Sequence, residues 1–133
     1  MQYYFDSVGP KGVIRKVVRF ELWDAEMMIY NLAFGDVDST TGLPDDKIKS
    51  NNGDRDTVMA TIGMIVLEFM KAYPDSVVHA KGFSPSRTRL YQMAIASNFA
   101  EVSMIFSVMG YIKGEWKPFA RGINYEQLLV RVL

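Results

Sequence analysis

Asp54-Arg55-Asp56-Thr57-Val58-Met59-Ala60-Thr61-Ile62-Gly63-Met64-Ile65-Val66-Leu67-Glu68-Phe69, followed after Tyr73-Pro74-Asp75 by Ser76-Val77-Val78-His79-Ala80-Lys81, is the stretch that decides the fold. Val58, Ile62, Ile65, Val66 and Phe69 recur at spacings of three and four, which is one face of a helix. Asp54 or Asn52 supplies its N-cap. Gly63 costs this helix about 1 kcal/mol relative to alanine, so it is expected to mark a close packing contact. Tyr73-Pro74 ends the helix, because the residue before proline disfavours the α region. The short β-branched run around Val77 and Val78 follows at once and reads as a strand parallel to an earlier one over residues 27–34.

Working outward toward the N-terminus, Met27 to Phe34 carries apolar residues on both parities, as a strand covered on both sides would. From Gly12 to Leu22 the pattern alternates as a half-buried strand, interrupted at Lys16 and Val17. The turn residues of Ser7 to Gly12 join that strand to a shorter one over Tyr3 to Phe5. Between Gly35 and Gly53 no apolar period exists, and a loop of that length is either mobile or functional.

Toward the C-terminus, Ser84-Pro85 has the chemistry of a helix start, serine capping and proline at the first helical position. Leu90, Met93, Ala94 and Ser97 make the expected inner stripe. The pattern turns around Asn98 to Glu101 and alternates as far as Ile112. Lys113-Gly114-Glu115 reads as a hairpin turn into an edge strand over Trp116 to Ala120, which contains Pro118. A last strand is expected within Tyr125 to Leu133. The order predicts an α+β fold in a single domain over residues 1–133, a mixed or mostly antiparallel sheet of about six to seven strands with two main helices.

Composition narrows the function. Fifteen basic and fifteen acidic side chains cancel, so no global field favours nucleic acid or an anionic membrane. Without cysteine there are no disulfides, thiolate nucleophiles or thiolate metal sites. The longest apolar stretch, Ile62 to Leu67, falls far short of the roughly 20 residues of a membrane helix. Gln2 to Asp6 lacks the features of a secretory signal, and a cytoplasmic location is expected. No cofactor and no metal site is expected, and a small anionic ligand or a protein is the expected kind of partner.

Two polar segments stand out. In the first, Asn51, Asn52, Gly53 and Arg55 surround a helix start, where unpaired N–H groups and partial positive charge suit a phosphate or carboxylate. The plainer alternative is that these residues are only caps and turns. In the second, Ser84, Arg87, Arg89 and Tyr91 surround the next helix start. Arg87 and Arg89 lie about 200° apart on a helix, so they do not form a clamp. Arg87 either pairs with Asp54 or Asp56 across the two helix starts or meets an anion. Asp36, Asp38, Asp45 and Asp46 lack the spacing of an oxygen-ligand metal site and read as a solvated loop.

His79, alone in a strand, reads as structural, with general-base chemistry the alternative. No nucleophile elbow, phosphate loop or dinucleotide fingerprint occurs. The aromatics at Tyr3 to Phe5 and at Tyr111, Trp116 and Phe119 read as core and hairpin packing rather than a platform for stacked bases. Nucleic-acid binding through Arg15, Lys16 and Arg19 is the weakest of three hypotheses. A noncatalytic binding or interaction module comes first, and an enzyme of acyltransferase type is the alternative.

Gly9-Pro10-Lys11-Gly12, Asn31-Leu32-Ala33-Phe34-Gly35-Asp36, Asn52-Gly53-Asp54-Arg55-Asp56 and Arg87-Thr88-Arg89-Leu90-Tyr91 together resemble a family of short, uncharacterised bacterial proteins, a domain of unknown function, over essentially the whole chain. That resemblance implies no activity. The order of elements from Met27 to Tyr91 is also similar to the GCN5-related N-acetyltransferases. That second resemblance implies a strand, a pyrophosphate-binding loop and helix, and a parallel strand leading to a helix with a Leu-Tyr pair. It places Tyr91 where the family's general acid often stands. Asn51 to Thr57 departs from the family's loop, having one glycine and two aspartates.

Overall fold

The computed structural model describes residues 1–45, 52–82 and 84–133. Within them one mixed sheet contains β1 (Gln2–Gly9), β2 (Gly12–Asp24), β3 (Ile29–Val37), β4 (Pro44–Asp45), β5 (Val77–Ala80), β6 (Phe106–Ile112), β7 (Glu115–Pro118) and β8 (Gln127–Val132). The strand order is β1-β2-β3-β5-β8-β6-β7, and the two residues of β4 pair with the end of β3. Every pairing is antiparallel except β3 with β5, which runs parallel from Ile29↔Val77 to Leu32↔Ala80. Parallel neighbours need a crossover, and α1 (Arg55–Ala72) lies in it. After β5 come α2 (Pro85–Ser97) and α3 (Phe99–Ile105).

One parity of the strands builds the core. Val18 and Phe20 of β2, Leu32 and Phe34 of β3, Val78 and Ala80 of β5, Val108 of β6 and Leu128 of β8 join Val58, Ile62, Val66 and Phe69 of α1 and Tyr91 of α2 in one buried cluster. Phe69 is the centre of an aromatic group, stacked on Phe20 at 4.0 Å and edge-on to Tyr30 at 4.9 Å between ring centroids. Because α1 and α2 follow the two parallel strands, both helices begin at the carboxyl edge of β3 and β5. That shared edge positions the site.

Several expectations are corrected. β3 runs on to Val37 through residues that read as loop, because β2 pairs along it as far as Lys16↔Asp36. Its last residues also pair with β4, so the stretch after Gly35 is not wholly a loop. Asp36 is no solvated acid: it forms a largely buried ion pair with Lys16. Residues 99–105 form a helix where alternation was read, and the strand begins only at Phe106. The inner face of α2 is Thr88, Tyr91 and Gln92, whereas Met93 and Ser97 are exposed. Two polar residues turn inward because their bonds are met. Thr88 Oγ1 accepts from Gly82 N at 2.8 Å, and Gln92 Oε1 accepts from Tyr125 N at 2.7 Å. Gly63 marks no close contact, since nothing lies within 4 Å of where its Cβ would stand. Among the described residues no helix is long and apolar enough to cross a membrane.

Candidate functional site

The two polar segments, thirty residues apart in sequence, line one open cleft of about 850 Å³ at the carboxyl edge of the parallel strands. Asn52 to Met59 form one wall and Ser86, Arg87 and Leu90 the other, with Lys16 and Phe34 of the sheet as floor. Three cations, Lys16, Arg55 and Arg87, and two carboxylates, Asp54 and Asp56, line it, with Lys16 already paired with Asp36 and Arg55 beside Asp56. The Lys16 ammonium and the Arg87 guanidinium both approach the Phe34 ring, at 5.7 and 5.5 Å from its centroid. Phe34 is itself stacked on Phe5. Such placement of a cation against an aromatic ring is favourable and orients the charged end.

Of the two expected helix caps, one forms. Ser84 stands at the N-cap of α2 and its side chain accepts from Arg87 N at 3.3 Å. Asp54 occupies the N-cap position of α1, but its carboxylate makes no capping bond and accepts instead from Ser7 Oγ at 2.7 Å. Among the described residues the ion pairs are Arg15 with Asp6, Lys16 with Asp36, Arg55 with Asp56 and Lys117 with Glu115. None of them joins Arg87 to Asp54 or Asp56. The two helix starts therefore meet across a cleft and not through that bridge.

Asn52 is 2% exposed and works as a staple. Its Oδ1 accepts from Lys11 N at 2.7 Å, and its Nδ2 donates to Gly12 O at 3.0 Å and to Ser7 O at 3.3 Å. The β1–β2 hairpin is thus fastened to the start of α1. A Cβ on Gly9 would stand 1.9 Å from Asn52 O, and Gly53 has φ +75° beside Pro10, which is why both positions are glycine. Asn51, like Ser50 and Asp46, lies outside the described residues.

The motifs gathered at this staple and cleft belong to a recognisable sequence family, whose model matches residues 1–132. The chain belongs to the family of unknown function DUF6934. No curated protein and no solved structure matches it. DUF6934 membership carries no activity with it, so a function for this DUF6934 chain is argued from its geometry.

Arg89 and Tyr91 lie apart from the cleft. Arg89 is exposed, and Tyr91, 7% exposed, lines a second, apolar pocket of about 510 Å³ between the helices and the sheet. That pocket has its floor on Leu32, Val78 and Leu128 and its walls on all three helices. Met59 lines both spaces. Lys16 and Phe34, on the sheet, are cleft residues that the two polar segments do not include. For Lys16 the signal was present as a cation breaking the apolar alternation of β2.

On the helix-free face, His79 is 4% exposed. Its Nε2 lies 2.6 Å from Gln127 Oε1 and its Nδ1 3.3 Å from Asn31 Oδ1. Trp23 covers it at 4.7 Å and Trp116 approaches edge-on at 6.4 Å. Burial, with Lys81 adding to it, holds its pKa below the ordinary value, while Gln127 opposes the shift. Of the cations that β2 would offer a nucleic acid, Lys16 is buried, and Arg15 is paired with Asp6 at 3.5 Å and lies over the Tyr4 ring.

Proposed function

We propose that the chain is a binding module for a small anionic ligand, taken up in the cleft between the starts of α1 and α2. The observation that carries this reading is the convergence of Arg55 and Arg87, from two helix starts, on one open space, whose floor cation, Lys16, is already paired with Asp36. Open sheets take ligands outside the carboxyl ends of their parallel strands, and this cleft lies there. Two helix N-termini add partial positive charge on the same side, and Asp54 leaves the first amides of α1 uncapped by its side chain. The volume suits a metabolite-sized ligand, and we place the protein in the cytoplasm with the metabolites it would draw on.

Thermal melting with inorganic phosphate, citrate, sugar phosphates and acetyl coenzyme A tests the reading. A ligand that binds only the folded chain adds about 2.7 kcal/mol at a hundredfold excess over Kd, so at least one anion is expected to raise the midpoint. Arg87→Gln is expected to remove most of that rise. A full rise in the variant, or none in the parent chain, overturns it.

A second reading, acyl transfer on an acetyltransferase-like scaffold, is favoured by one observation. β3, α1, the parallel β5 and α2 with Leu90-Tyr91 follow one another in the order that the acetyltransferase resemblance implies. The position of Tyr91 in the apolar pocket counts against its acting as a general acid on a ligand in the cleft. If no coenzyme A species at millimolar concentration moves the midpoint, this second reading is lost.

A further inference from the structure

An apolar groove of about 510 Å³ lies beside the core, open to solvent along the exposed Gly63, Met64 and Ile105. Its size falls within the range of ligand pockets. Gly63 helps to keep it open: it lines the pocket, and no atom lies within 4 Å of the place where its Cβ would stand. Glycine in a helix interior is unfavourable relative to alanine, and here no close packing contact accounts for it.

The pocket adjoins the charged cleft and shares Met59 with it. Along α1 the cleft is lined as far as Met59, and the pocket takes over from Met59 to Leu67. Along α2 the handover falls between Leu90, which faces the cleft, and Tyr91, which faces the pocket. The lining thus changes at Met59 from charged groups of both signs to aliphatic side chains. Methionine at the junction suits a changing occupant, being unbranched and flexible.

We infer that the ligand is an amphiphile with an unbranched hydrocarbon chain, a medium-chain alkyl carboxylate or alkyl phosphate. Its anionic head lies between Arg55 and Arg87 and its chain passes Met59 into the apolar pocket. The inference rests on the anion reading above for the head and adds the chain.

Isothermal titration with butyrate, hexanoate, octanoate and decanoate, each below its micelle concentration, tests it, with the matching alkyl phosphates as a second arm that distinguishes the two head groups. Affinity is expected to tighten roughly fourfold for each added methylene, the worth of burying one such group, until the pocket is full. Decanol and decyltrimethylammonium are expected to bind at least tenfold more weakly than decanoate. Gly63→Leu, and independently Ala94→Leu, is expected to weaken decanoate at least tenfold and leave inorganic phosphate binding unchanged. The melting midpoint of Gly63→Leu is expected not to fall, because leucine is the better helix former. Phosphate binding with no dependence on chain length overturns the amphiphile and leaves the anion reading standing. Decanol binding as tightly as decanoate overturns the anionic head. No binding by any of these probes overturns both.

Discussion

His79 lies where burial works against positive charge, so its folded pKa stands below the ordinary value of 6.5. A neutral ring carries one N–H, so it can donate to only one of the two amide oxygens beside it, Gln127 Oε1 or Asn31 Oδ1. The unfolded chain therefore takes up the proton first. This contribution to stability is whole above the ordinary value and is lost as pH falls through the depressed one. Urea midpoints measured from neutral to mildly acidic pH are expected to decline, and His79→Gln to decline less; equal slopes would remove the argument. At this scale the sequence was legible where a residue acts on its neighbours. Ser84 was readable as a cap because its partner, Arg87 N, is three residues away. Lys16 was not, because the residue that neutralises it stands twenty positions later on the next strand, and alternation alone registers only an interruption. Asn52 looked like a cap for the same reason: the bonds it makes go to a hairpin some forty residues earlier.

Among the elements, α1 carries the most packing. Phe69, fully buried between Phe20, Tyr30 and Tyr73, is the side chain whose loss would leave the largest hole. Phe69→Ala is expected to cost about 3–5 kcal/mol, read as a lower urea midpoint at an unchanged slope. The three-and-four spacing of α1 was visible because its buried face is wholly apolar. The start of α2 is legible but its rotation is not, since Thr88 and Gln92 face inward and satisfy backbone groups of loops outside the helix. α3 has only seven residues, two turns, over which an apolar period cannot be told from alternation. The short hairpin of β6 and β7 was plain, because Lys113 and Gly114 both adopt positive φ and pair Tyr111 with Trp116 across it.

For the whole molecule, the placing of β8 is decisive. It pairs with β5 on one side and with β6 on the other, so the β6–β7 hairpin is joined to the rest of the sheet through the last strand in the sequence. A chain ending at Glu126 is expected to lose its cooperative melting transition, whereas removal of Leu133 alone, exposed beyond that strand, is expected to shift the midpoint by only a few degrees. The strands themselves were legible one by one, but their order was not, because pairing between segments fifty residues apart leaves no local mark. The cleft and the apolar pocket share that origin. Each wall reads as an ordinary helix start or helix face, and only the parallel pairing of β3 with β5 brings the walls together. The position of β8 also sets a timetable during synthesis. When residues 1–112 have left the ribosome, the exposed edges of β5 and β6 wait for a strand that has not yet emerged. At 5–20 residues per second the wait lasts on the order of one to a few seconds, during which two unpaired edges are open to other chains.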